Sequence, residues 1–273
     1  MSKKFIAGGC SFTFGHELSD DQEGRVPSKL TWAHGLKEDL AHRHNSPLDE
    51  YICTAHPGSG NSGIARRIFN EISKYPVEEI RGVTVMWSFL SRYDWAMPRH
   101  RALEDTRWTS ISPWDTNAGN DEAFHILQGS ETQQQEWRTR QKTMQDTGVR
   151  ELAESVYKYA ANEYHETYLS WKSIIWLQNI LEKKKIPYMF TLADNSLFYN
   201  NLEEHSGQDR FMHDLHAEID LSKWFFFGER CMGFNQWALL NDYERGTTHP
   251  LDKAHEDAVQ LMLPTFTKLI GGR

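Results

Sequence analysis

The stretch "KKFIAGGCSFTFGHEL" (residues 3–18) decides the reading of the whole chain. A short apolar run at 5–7 stops at Gly8 and Gly9, and Cys10 and Ser11 follow at once. An apolar run this short, bounded by glycines, reads as a buried strand entering a tight turn. Two nucleophile-bearing residues at its tip leave two readings open: a plain structural turn, or a side chain presented to a substrate.

The same strand signature recurs at "YICTA" (51–55), "VTVMWS" (83–88) and "PYMFTL" (187–192), and more weakly at "KWFFF" (223–227). Helical spacing fills the gaps, at 29–44 with Trp32, Leu36 and Leu40 on one face, and at 61–75 with Ile64, Ile68 and Ile72 as a stripe behind an N-capping Asn61. A long helix is expected over about 150–185, and another over 249–270 with a break at Pro264. Alternating strands and helices imply a parallel sheet of about five strands with helices on both faces. In such sheets ligands bind beyond the carboxyl ends of the strands. The loops "GGCS", "HPGSGN" and "SFLSRYDW" all fall on that edge.

Residues 96–148 interrupt the alternation with a polar stretch carrying Trp108, Trp114 and Trp137. The segment is too long for an ordinary loop and is expected to form an inserted cap or arm on a single domain spanning 1–273. Its tryptophans, with Trp95, could stack on sugar rings or bases, close over an acyl chain, or form a small local core.

Composition narrows the function classes. A formal charge of −8 argues against a broad nucleic-acid surface. No apolar run is long enough for a membrane span or a signal peptide, and the three cysteines lack CxxC spacing. A reducing cytoplasm is the expected compartment. The 34 aromatic residues (10 Trp, 10 Tyr, 14 Phe) must be buried or used in binding, and an aromatic arm could serve as a homo-oligomer interface.

Three segments carry candidate chemistry. Ser11 could act as a nucleophile if the fold brings a histidine to it, with its own amide helping to hold an oxyanion. Adjacent Cys10 should point the opposite way and pack into the sheet. In "AHPGSGNSGIARRI" (55–68), Gly58 and Gly60 permit a tight loop, and Asn61 can donate from its amide at a helix start. In "GTTHPLDKAHEDAV" (246–259), Pro250 would fix the entry of the last helix and the direction of His249, a candidate general base. The histidines of "AHRHN" (41–45) and "HDLHAEID" (213–220) suggest a metal site, with His213, His216 and Asp220 or Glu218 as ligands, but the catalytic Glu of a zinc hydrolase is missing and a solvated helix face is favoured.

In this order the three segments resemble the SGNH (GDSL-type) hydrolases, particularly divergent members encoded by tailed bacteriophages. The resemblance runs from Phe5 to about Leu263. It implies a three-layer α/β/α sandwich of flavodoxin-like topology and an esterase or deacetylase that needs neither metal nor organic cofactor. A small-molecule or glycan acyl ester would be the substrate, and the host cytoplasm the location if the chain is phage-encoded. Ser11 would be the nucleophile and His249 the base, and the amides of Ser11 and Gly60, with Asn61 beside them, would form the oxyanion hole. The chain also departs from the pattern. Cys10 replaces the usual Asp, and "WSFLSRYD" (87–94) replaces the block that carries the oxyanion asparagine, where Ser88 or Arg92 could compensate. Arg92 could instead bind an anionic substrate or pair with Asp94. Gly246 occupies the position of the acid that orients the histidine, leaving Asp242 or Glu244 to reach His249 by a folded-back loop. These losses keep open a catalytically silent, virion-associated binding protein of the same fold.

Overall fold

The computed structural model describes residues 2–22, 24–43, 49–97, 108–116, 131–199 and 210–271. In chain order the elements are β1 (Lys4–Gly8), α1 (Ser11–Phe14), α2 (Trp32–Arg43), β2 (Glu50–Cys53), α3 (Asn61–Ile72), β3 (Ile80–Trp87), β4 (Tyr93–Ala96) and β5 (Trp108–Ile111). Then come α4 (Glu131–Asp146), α5 (Val149–Tyr159), α6 (Glu163–Lys183), β6 (Tyr188–Leu192), α7 (Arg210–Ala217), α8 (Phe234–Leu240) and α9 (Asp252–Leu269). The main sheet is parallel, in the order β2-β1-β3-β6.

Period-two alternation splits the sheet's side chains between two cores. Ile6, Val83, Val85, Trp87 and Phe190 pack against Ile64, Ile68 and Ile72 of α3 and Ile174, Leu177 and Leu181 of α6. Phe5, Ala7, Met86 and Met189 face the other way, onto Trp32 and Leu36 of α2, Phe234 of α8, and Ala258, Met262 and Phe266 of α9. The result is a three-layer α/β/α sandwich. The chain runs from β1 outward to β2, then returns to place β3 on the other side of β1. This reversal opens the crevice where ligands settle in doubly wound sheets.

Several expectations are corrected. The fifth strand shrinks to one bridge, Phe190 to Trp224. After Phe225 donates to the Phe190 carbonyl, the Phe227 amide turns to Met232 instead. The helix expected over 150–185 is two helices, α5 and α6, with Asn162 capping the second by accepting from the His165 amide. Helix α9 runs through Pro264, which is exposed, as is Gln260, whose carbonyl would have accepted the missing bond. Water can satisfy that carbonyl, so the helix continues.

Much of 96–148 lies outside the described residues, as do His44, Asn45 and the Trp137 side chain. The described part begins with an antiparallel hairpin, β4 paired to β5. A third, small core joins Tyr93, Met97 and Ile111 to Met144, Val149, Ala153 and Val156, so the arm draws on residues beyond both expected boundaries. Trp95, Trp108 and Trp114 are exposed. Among the described residues no helix is long and apolar enough to cross a membrane.

Candidate active site

Beyond β1 the chain turns at once into the single-turn helix α1, with Cys10 in extended conformation as its N-cap and Gly15 closing it at φ 84°. Gly9 makes this possible, because a Cβ there would sit 2.2 Å from Thr13 Oγ1. Cys10 is fully buried in the α2/α9 core, as expected, while the buried Ser11 hydroxyl is directed at His249.

Ser11 Oγ lies 2.7 Å from His249 Nε2. Residues 238 positions apart in the sequence therefore meet over one rim of the sheet. His249 does not start a helix. Pro250 instead bridges back to Arg245, and α9 begins only at Asp252. The imidazole is packed edge-on against Phe12 at 4.9 Å and His16 at 5.5 Å between centroids.

The partner of the other imidazole nitrogen is a residue that the sequence reading missed. Glu17 Oε2 is 2.8 Å from His249 Nδ1. The same carboxylate accepts from the amides of Thr247 (2.9 Å), Thr248 (3.0 Å) and His249 (3.0 Å). Consecutive amides turned on one anion form a backbone nest. A Cβ at Gly246 would meet Glu17 Cδ and Oε2 at 3.0 Å, so Glu17 fills the space that a side chain at 246 would use. Asp242, proposed for this task, is exposed, with φ 53°. The signal that could have found Glu17 was the pairing of a missing acid at 246 with a carboxylate in the opening stretch itself.

The electrostatics follow from this packing. Burial opposes ionisation of Glu17, but hydrogen bonds from His249 and from the Thr248 and Thr247 amides overcome it and hold the carboxyl below the ordinary range. Burial lowers His249, Glu17 pulls it upward, and the net shift is downward. The result is a neutral imidazole beside a fixed anion, with one nitrogen directed at a hydroxyl. Such a set can activate that hydroxyl as a nucleophile.

The remaining site residues take different places. Gly60 caps α3 in extended conformation, and a Cβ there would lie 2.6 Å from Asp94 Oδ2. Asn61 is neither cap nor free donor. Its Nδ2 donates to the Ser88 carbonyl (3.2 Å) and Ser170 Oγ (3.0 Å), and its Oδ1 accepts from the Ser88 amide (2.8 Å). These bonds clamp the loop after β3 to α3 and leave no amide proton for an oxyanion. Ser88 Oγ accepts from Arg92 Nη1 at 2.8 Å. Asp94 does not pair with Arg92 among the described residues. Its carboxylate accepts from the Gly63 amide (2.7 Å) and from Ser110.

His16, Glu17 and His249 bring three potential metal-ligand atoms within 4.8 Å of one another. A cation there would have to displace the Ser11 and Glu17 hydrogen bonds. Among the described residues His213 and His216 belong to no such group. His213 is largely exposed, and His216 packs against Trp171 and Phe198.

No family model matches the sequence, and no curated protein matches it. Among solved structures, the chain is similar to a member of the lipolytic G-D-S-L family from Veillonella parvula, at 13% identity and TM-score 0.45, covering 98% of this chain and 100% of that one. It is also similar to the psychrotrophic esterase EstA from a Pseudoalteromonas species, at 12% identity and TM-score 0.45, covering 98% of each chain. A catalytic mutant of an acetylxylan esterase from Geobacillus stearothermophilus matches at 8% identity and TM-score 0.44, covering 100% of this chain and 97% of that one.

Proposed function

We propose that the protein is a serine hydrolase of SGNH type that cleaves carboxylic esters. The observation that carries this reading is the unbroken relay from Ser11 Oγ through His249 to Glu17. His249 Nε2 takes the Ser11 proton as Oγ attacks the acyl carbonyl, and Glu17 fixes the tautomer and balances the imidazolium that forms. The amides of Ser11 and Gly60 stabilise the oxyanion, each at the start of a helix where backbone dipoles favour negative charge. His249 then protonates the leaving alcohol. Water, deprotonated by the same nitrogen, releases the acid from Ser11 and restores the free hydroxyl.

The test is covalent labelling with a fluorophosphonate probe, alongside hydrolysis of p-nitrophenyl acetate. Wild type should label, and Ser11→Ala should neither label nor turn over, losing at least about 10⁴-fold in kcat. Wild type that does not label overturns the proposal in favour of a catalytically silent binding protein, and labelling that survives Ser11→Ala overturns it by ruling out Ser11 as the nucleophile.

A further inference from the structure

Under the β4–β5 hairpin, bordered by Asn61 at the start of α3, lies a cavity of about 400 Å³. Volumes in this range hold small ligands. Leu90, Tyr93, Trp95, Val156 and Leu169 give it apolar walls, and Arg92 lines it as well. Its other polar groups are largely engaged with one another. Tyr93 donates to Glu166 at 3.0 Å, Asn61 is clamped to Ser88 and Ser170, and Asp94 is held by Gly63 and Ser110. Arg92 is different. Its Nη1 is anchored on Ser88 Oγ and the Ser59 carbonyl, while Nε and Nη2 have no acceptor among the described residues. The cavity is therefore an apolar chamber with a tethered cation that retains unused donors.

Contacts connect this cation to the relay. Arg92 stacks over Phe89 (4.8 Å), Phe89 packs on Phe12 (6.1 Å), and Phe12 packs on His249 (4.9 Å). Ser88, its anchor, and Ser11 each lie three residues beyond the paired positions Val85 and Gly8 of adjacent strands. The guanidinium charge is also felt at His249.

We propose that this cavity receives the acyl chain of the substrate, apolar and about four to eight carbons long, and that Arg92 hydrogen-bonds the carbonyl oxygen as it becomes an oxyanion. This inference rests on the hydrolase reading above and assigns to Arg92 the donation that Asn61 cannot make. The enzyme would thus prefer medium-chain acyl esters to acetyl esters.

The test compares kcat/KM for p-nitrophenyl acetate, butyrate, hexanoate and octanoate. Each methylene transferred into the cavity is worth about 0.8 kcal/mol, roughly fourfold. Wild type should therefore favour hexanoate over acetate by at least about tenfold. Val156→Phe, which fills the cavity, should lower that ratio about tenfold, and Ala160→Phe at the rim provides a second obstruction. Arg92→Ala should lower kcat about 10²-fold on every ester, with KM little changed and partial rescue by Arg92→Lys. Fluorophosphonate labelling of the same samples separates the failures. Protein that labels at Ser11 but prefers acetate overturns the acyl pocket, an unchanged kcat in Arg92→Ala overturns the oxyanion role, and protein that never labels overturns the hydrolase reading itself.

Discussion

Glu17 sits at φ 71°, a left-handed conformation that costs a residue with a side chain about 1 kcal/mol. Three backbone amides and one imidazole converge on its carboxylate and offset that cost. Its place against Gly246 suggests a transplant. Glu17→Ala should lower kcat about 10²- to 10⁴-fold. Adding Gly246→Asp should restore a substantial part of that loss, because the new carboxylate enters the space vacated beside His249. Gly246→Asp alone should be damaging, as it sets a second carboxylate against the first. Steady-state kinetics on the four proteins decide the matter.

The pH dependence belongs to the same pair. A protonated His249 cannot accept from Ser11, so activity is lost as pH falls through its folded value. That value is below the ordinary histidine value of about 6.5. The acid limb of kcat/KM should therefore fall below about pH 6.5. Glu17→Gln should move it lower still, since it removes the group that raises His249. The pairing of Ser11 with His249 was expected from the order of three segments along the chain and from neither segment alone; the local signal at Pro250 misled, since His249 does not start a helix. Glu17 was not legible in the sequence, since its role comes from a tertiary contact across 232 positions and its neighbours in sequence carry no trace of it.

At the scale of elements, the β4–β5 hairpin determines how α3 presents its N-terminus. Asp94 reaches across to the Gly63 amide, one of the donors that a helix start leaves unpaired. Asp94→Ala should therefore lower stability by about 1–2 kcal/mol in denaturant titrations, with Asp94→Asn retaining part of the loss. The four sheet strands were legible because each is a short apolar run with glycine or polar flanks. "KWFFF" has the same composition yet makes a single bridge: its rings pack on one another, Trp224 stacked on Phe226 and Phe225 edge-on to Phe227, while its backbone turns away. The hairpin was hidden for the opposite reason. Tyr93–Ala96 has no apolar alternation, and its pairing depends on a partner beyond a long intervening segment.

Across the whole molecule, α9 is tied to its neighbours by polar contacts as well as by its apolar face. His255, fully enclosed, accepts the first amide of α2, from Trp32, on Nδ1 at 3.2 Å. Burial pushes it down to about 3. The unfolded chain takes up this proton below about pH 6.5, and the folded chain does so only near 3, so the stability present above 6.5 is lost as pH falls through that window. His255→Asn keeps an acceptor for Trp32 but does not titrate. It should be less stable than wild type at pH 7 by about 1–2 kcal/mol yet lose less on acidification to pH 4, as measured by urea unfolding across a pH series.

Asp252, the first residue of α9, also holds the amide and hydroxyl of Ser19, just past Glu17. Nucleophile and acid thus share one short ribbon, and only the base has to arrive from afar. During synthesis or refolding, the proposed centre would stay inert until the last helix docks, so the first ester molecule cleaved would report completed assembly.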